Sequence, residues 1–337
     1  MIGFCRAVVL VGLCGSAVHA EWQPQTIPTD ADFRGLSVVS AQVAWVSGTK
    51  GTFGRTTDGG KAWSVGIVPG AAKLDFRDIH AFGETTAYVL SAGPGEASRI
   101  YKTTDGGTTW ILQFQNSDPE AFFDALAFWD ERNGVALGDP VKEQFQLLRT
   151  DDGGAHWKRL TGIKLPPALP NEGAFAASGT CLITQGTDDI WFGTGGAKTA
   201  RVFHSRDRGE NWTAIDTPVV AGTDSAGIFS IAFRDRLHGI IVGGDYRKPN
   251  DAGTTAATTT DGGTSWTLLD RPFPYRSCVA WAGDRWVAVG TSGSDASLDD
   301  GVTWKPLDRQ NYNTVAFTAT GEGWAVGPGG RSAKFAR

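Results

Sequence analysis

The stretch Thr56-Thr57-Asp58-Gly59-Gly60-Lys61-Ala62-Trp63 decides the reading of this chain. Its pattern, Ser/Thr-x-Asp-x-Gly-x-x-Trp, returns at 103–110, 150–157, 205–212, 259–266 and 297–304. A repeat of about 40–50 residues means that one supersecondary unit stacks on the next. The residue types fit a tight turn between two strands. A carboxylate at Asp58, Asp105, Asp152, Asp207, Asp261 or Asp299 can accept hydrogen bonds from amides just ahead of it. The glycine two residues on supplies the positive φ that the turn needs. The Ser/Thr hydroxyl joins the local network, and the tryptophan opens the outgoing strand with a large apolar face. Folding thus accounts for every position of the box. A Ca²⁺ loop would need further acidic ligands and a glutamate at loop position 12. No copy has them, and no metal site is expected.

Working outward, the same phrases surround each box. An alternating apolar run comes first, at 79–82, 126–129, 228–233, 278–281 and 315–317. A second run ends in glycine, at 45–48, 135–138, 191–193, 241–243, 286–290 and 324–327. A third short strand enters the box, and the tryptophan begins a fourth. Four short strands with Gly-rich turns make one blade of a β-propeller. The segments 312–317, 324–327 and 330–335 supply three strands, and the chain stops where a box should begin. Glu21-Trp22-Gln23-Pro24 reads like the tail of a box (compare Ser265-Trp266-Thr267-Leu268), so the N-terminal strand is expected to complete the last blade. Such closure removes a free sheet edge. The expected fold is all-β: one seven-bladed propeller over residues 21–337, with six blades as the alternative if the final segment packs as a cap.

The box resembles the Asp-box, or bacterial neuraminidase repeat, a propeller turn shared by sialidases, sortilin-type receptors and photosystem II assembly factors. The whole repeat is similar to that of the photosystem II stability/assembly factor family. The similarity rests on Phe76-Arg77-Asp78-Ile79, on Arg99-Ile100-Tyr101-Lys102-Thr103-Thr104-Asp105-Gly106-Gly107 and on Gly323-Trp324-Ala325-Val326-Gly327. Ala121-Phe122-Phe123-Asp124-Ala125 and Gly243-Gly244-Asp245-Tyr246-Arg247-Lys248-Pro249 look like a broad bacterial subgroup of it. The resemblance implies an exported, non-catalytic scaffold without a cofactor, whose partner is an envelope or membrane protein complex under assembly. In photosynthetic organisms such proteins act at the lumenal face of the membrane, so a photosynthetic host would place this one in the thylakoid lumen.

Residues 1–20 read as a secretory signal. Arg6 supplies the positive start, 7–13 are apolar, and Val18-His19-Ala20 fits the cleavage rule. A mature chain beginning at Glu21 would be periplasmic or secreted, and no other apolar stretch reaches transmembrane length. Cleavage would remove Cys5 and Cys14. Cys181 and Cys278 are expected on the inner strands of blades 4 and 6, too far apart for a disulfide, and hence as two buried free thiols. The 31 Lys and Arg against 36 Asp and Glu give a net charge of −5 with no long basic run, which argues against nucleic acid and anionic membranes as partners. The expected state is a monomer. The irregular stretch 163–178, with Pro166, Pro167 and Pro170, reads as an extended loop on the blade 4 side.

Strand order also picks a face. If the box joins strands three and four, the loops between strands two and three lie at the opposite end of the blade. The connections between blades lie there too, around the channel mouth. Loops on a rigid scaffold are where function concentrates. The candidates there are Arg77, Asp78, Asp124, Asp139, Glu172, Asp245, Tyr246, Arg247, Lys248, Tyr275, Arg276 and Tyr312. Together they could bind a protein segment or a small anion. The rival readings are a sialidase-like glycoside hydrolase, or a glycan-binding lectin stacking sugar on Trp129 or Trp281, both using the same face. Sialidases need three converging arginines, a Tyr–Glu nucleophile pair and an acidic proton donor. Their Arg-Ile-Pro signature is absent, and Thr26-Ile27-Pro28 and Arg34-Gly35-Leu36 stand in its place. No His-Glu-x-x-His, Cys-x-x-Cys or Ser nucleophile elbow supports another chemistry, and no catalytic residue is assigned.

Overall fold

The computed structural model describes residues 21–336, so the expected signal segment with Cys5 and Cys14 lies outside the described residues. The chain forms seven antiparallel sheets of four strands each, arranged as a seven-bladed β-propeller. Blade 1 runs through Phe33–Val38, Ala44–Gly48, Thr52–Thr56 and Ser64–Ile67, and five further blades repeat this consecutive order. The seventh is composite. Thr314–Phe317, Gly323–Val326 and Arg331–Ala336 take Glu21–Thr26 as their outer strand, with Glu21 opposite Ala336 and Thr26 opposite Arg331. The N-terminal strand therefore closes the ring, and the six-blade alternative is excluded.

The hydrophobic pattern explains the radial order. Second strands such as Ala44–Gly48 and Trp286–Gly290 are buried along their whole length, because blades cover both of their faces. Outer strands such as Ser64–Ile67 and Ile111–Gln115 are half-buried to exposed. Apolar clusters fill the seams between blades, and each box tryptophan enters the seam with the preceding blade. Trp110 meets Phe53 of blade 1 at 5.0 Å between ring centroids, Trp212 packs in one cluster with Phe145 and Leu147 of blade 3, and Trp304 in one with Ile240 and Val242 of blade 5. Trp22 takes this place in blade 7, where its Nε1 donates to Ser294 Oγ of blade 6 at 2.9 Å. Loss of a Trp from such a seam costs about 3–5 kcal/mol.

All six boxes have the same internal bonding. The Gly60 amide donates to Thr56 Oγ1, Thr56 Oγ1 donates to Asp58 Oδ1, and Asp58 Oδ1 accepts the Ala62 amide, at 2.9, 2.9 and 3.0 Å. Asp105, Asp152, Asp207, Asp261 and Asp299 repeat these bonds. The box glycines take positive φ, as at Gly60 (84°) and Gly263 (84°). Cys181 and Cys278 are both free and buried. Among the described residues no helix is long and apolar enough to cross a membrane, and no group of His, Cys, Asp and Glu could hold a metal ion.

Candidate functional site

The end of the ring opposite the boxes carries the loops between strands two and three and the connections between blades. Its axis is not open. Residues 173–180, the end of the long irregular stretch, run across it as a strap. This corrects the expectation of a loop at the side of blade 4. The strap's Ala174 amide donates to Asp139 Oδ1 of blade 3 at 2.9 Å, and its Ala176 carbonyl accepts Arg77 Nη1 of blade 2 at 2.8 Å. Ser178 Oγ donates to the Ser277 carbonyl of blade 6 at 3.0 Å, and the Ser178 carbonyl accepts Thr314 Oγ1 of blade 7 at 3.4 Å. Thr180 Oγ1 donates to Ser230 Oγ of blade 5 at 2.7 Å. Gly179 has a φ of 75°, and a Cβ there would lie 2.2 Å from Asp78 Oδ1. Only small residues fit this crowded axis, and Ala-Ala-Ser-Gly-Thr supplies them.

Above the strap lies a cavity of about 340 Å³. One side is aromatic. Phe175 stacks on Phe229 with centroids 4.0 Å apart and rings 8° from parallel, and Tyr275 meets Phe229 edge-on at 5.0 Å. Tyr246 stands at the rim and is exposed. The other side is basic, formed by Arg34 and Arg77, and Ser277, Thr291 and Asn313 complete the lining. No carboxyl group lines this cavity. Arg77 is already engaged, through Nε with Asp75 Oδ2 at 2.6 Å and through the strap carbonyl. The half-buried Arg34 guanidinium makes no hydrogen bond or ion pair among the described residues. Burial first, then the Arg77 charge beside it, lowers its pKa, yet a guanidinium remains a cation. An unpaired, partly desolvated cation is costly, and an anion in the cavity would relieve that cost.

Of the residues expected at the mouth, Arg77, Tyr246 and Tyr275 do line the cavity. Asp245, Arg247 and Lys248 sit on the outer rim, where Asp245 Oδ1 accepts the Arg247 amide and Arg247 pairs with Asp224 at 2.8 Å. Of the other candidates, Asp78, Asp124, Glu172, Arg276 and Tyr312 are buried, which takes them out of reach of a partner, and Asp139 is half-buried. Glu172 and Arg201 form an ion pair, and Glu172 also accepts Thr194 Oγ1. Arg276 is held by Asp295 through Nε at 2.8 Å and by Ser292. Tyr312 packs against Trp22 at 5.6 Å. Asp78 and Asp139 lie against the strap, at Gly179 and at Gly173 and Ala174 respectively, and Asp124 is buried. Trp129 and Trp281 end inner strands on the box side, under Arg208 and Arg234 respectively, and not at the mouth.

Arg34 is the residue that sequence reading missed. Its signal was present, since Phe33-Arg34 opens the inner strand of blade 1 as Phe76-Arg77 opens that of blade 2. Two larger grooves, of about 490 and 460 Å³, open on the box side around blades 3 to 5. In the first, Arg149 pairs with Glu210 and Arg208 with Asp188, so the charge there is largely matched.

The class is therefore a seven-bladed β-propeller whose closed axis carries a cationic, aromatic-walled pocket at one end. No family model matches the sequence, and a search of curated proteins found none that matches it. Solved structures do resemble the fold. "YCF48 bound to D1 peptide" aligns with a TM-score of 0.66 at 15% identity over 94% of this chain and 95% of that one. YCF48 from Cyanidioschyzon merolae aligns with a TM-score of 0.63 at 16% identity over 94% and 98%. The WD40 propeller domain of Doa1 aligns at 0.60 and 11% identity over 95% and 98%.

Proposed function

We propose that this protein binds a segment of a partner protein at the channel mouth, as a non-catalytic scaffold for an envelope or membrane complex under assembly. The observation that carries this reading is the unpaired Arg34 guanidinium beside Arg77, facing an aromatic wall in a pocket closed beneath by the strap. A carboxylate, from an acidic side chain or a chain end, supplies the missing counter-ion in bidentate geometry. Apolar side chains of the same segment fit against Phe175, Phe229 and Tyr275. The peptide held by one YCF48 neighbour, a photosystem II assembly factor, supports a protein partner. Glycoside hydrolysis needs a pair of carboxyl groups, or a carboxyl beside a tyrosine nucleophile, and none lines the pocket. Export and work as a monomer in the periplasm, or outside the cell, belong to the same reading.

The test is an array of acidic and neutral peptides probed with the mature protein. Arg34→Ala should weaken binding of the acidic binders about tenfold or more and leave the fold intact. Equal binding by wild type and variant would overturn the reading.

A further inference from the structure

In four blades the third strand carries a cation just before the box hydroxyl, or at the matching place in blade 7, and that cation crosses to the next blade. Lys334 of blade 7 donates to the Gly59 carbonyl of blade 1 at 2.9 Å, and Lys102 of blade 2 to the Gly153 carbonyl of blade 3 at 2.8 Å. Arg55 of blade 1 donates to the Glu84 carbonyl of blade 2, and Arg149 of blade 3 to the Arg208 carbonyl of blade 4 at 3.3 Å. Blade 4 has His204 at this place, and its ring does not cross. It stacks on Trp191 of its own blade, with centroids 4.3 Å apart and rings 12° from parallel. Its Nε2 lies 2.9 Å from Asp189 Oδ1, also of blade 4. Between His204 and the box of blade 5 lies the second box-side groove, of about 460 Å³. His204 is 6% exposed and lines it. A carboxylate only accepts, so Asp189 fixes the Nε2–H tautomer and leaves Nδ1 as an acceptor. Nδ1 has no hydrogen bond among the described residues. Burial lowers the ring's pKa, which keeps it neutral at neutral pH.

The rest of the lining has the same bias. The exposed Thr213 and Thr264 donate their hydroxyl protons to the His204 and Asp261 carbonyls, which leaves oxygen lone pairs for the groove. Ile215 is half-buried against the apolar cluster of this seam. Arg206 is exposed and makes no hydrogen bond or ion pair among the described residues. A ligand must therefore donate to His204 and the two threonines, accept from one guanidinium and lay an apolar face on Ile215. We propose that this groove is a second binding site, on the face opposite the mouth, and that its ligand is a neutral saccharide. Sugar hydroxyls both donate and accept, and the C–H face of a pyranose is apolar. A free carboxylate or phosphate would serve Arg206 but bring only acceptors to the other three groups. An extended peptide spaces its amide donors roughly 7 Å apart along one side, whereas one sugar ring brings several donors together.

The test is an array of neutral and acidic glycans probed with the mature protein, followed by NMR titration with cellobiose, maltose and N,N′-diacetylchitobiose. At least one neutral glycan should bind. It should shift the His204 imidazole and the Thr213, Ile215 and Thr264 amide signals saturably, while the Arg34 and Tyr275 signals at the mouth stay in place. His204→Phe keeps the stack on Trp191 and removes the acceptor, and should weaken binding about tenfold or more. Thr213→Arg fills the groove from an exposed strand position, should weaken binding as much, and keeps the test open if His204→Phe fails to fold. Binding of acidic glycans alone, no neutral binder, shifts confined to the mouth, or full affinity in Thr213→Arg would each overturn the site. Acidic peptides should bind both variants as they bind wild type. Failure of the saccharide site therefore leaves the partner reading standing, and the converse holds.

Discussion

On the box side of the ring the carboxylate of each repeated box is held by amides and hydroxyls within four residues of it. On the mouth side Asp78 and Asp139 are largely removed from water, and each accepts an amide from outside its own blade. The Ala62 amide holds Asp58 below the usual carboxylate range, and the Thr109 hydroxyl does the same for Asp105. Asp78, by contrast, is pushed up to about 7 by burial, although two backbone amides oppose that rise. One residue type thus serves opposite ends of the ring in opposite ways. Hydrogen bonds in solvent lower the pKa and stabilise the charged form, whereas removal of water raises the pKa and favours the neutral form.

The largest effect expected from this contrast is at Gly179. An alanine there meets both an unfavourable φ and the Asp78 carboxylate, and should cost about 3 kcal/mol or more in urea unfolding. Gly263→Ala in a box shares the positive φ, but its nearest neighbour is Trp191 Nε1 at 3.1 Å, and it should cost about 1–2 kcal/mol. Equal losses would mean that the mouth is no more tightly packed than a surface turn.

The pH dependence of melting comes next, because the two ends carry opposite signs. The raised Asp78 and Asp139 bind more protons in the folded state. Their contribution is complete below about pH 4, the unfolded value. It is lost as pH rises through about 6 to 7. The lowered box carboxylates contribute above their unfolded value, and that contribution is lost as pH falls through their folded values. The melting temperature should therefore pass through a maximum in mildly acid solution. A profile that climbs steadily to pH 8 would contradict the buried carboxyls.

Asp207→Ala, which removes the bonds to the Ser205 hydroxyl and the Asn211 amide, should cost about 1 kcal/mol and leave the other blades unaffected. The smallest effect is expected for Arg247→Ala. It breaks an exposed pair with Asp224 and should leave the melting temperature unchanged within error.

The boxes were legible because each is complete within eight residues. The closing strand was legible because Trp22 repeats the place of a box tryptophan. The candidate site was legible only in part. Arg77, Tyr246 and Tyr275 were found by counting strands to the correct face, while Glu172 and Arg276 looked equally available. Their partners, Arg201 and Asp295, are chosen by how blades 4 and 6 fold, and nothing adjacent in the sequence points to them. Arg34 went unread as a site residue because its importance lies in the absence of a partner.

By itself, the sequence determined the β-propeller, its repeating four-stranded blade and the face on which the inter-blade loops lie, and it pointed to seven blades closed by the N-terminal strand, which the pairing of Glu21–Thr26 with Arg331–Ala336 settled over six. These follow from local turns and short-range periodicity, which repeat in register along the chain. Only the tertiary structure decided that the axis is closed by residues 173–180, which charges are neutralised, and that Arg34 is left free. Those outcomes rest on contacts across the ring, such as Ser178 with Ser277 and with Thr314, 99 and 136 residues apart. Convergence of the blades sets these contacts, and no local pattern encodes them.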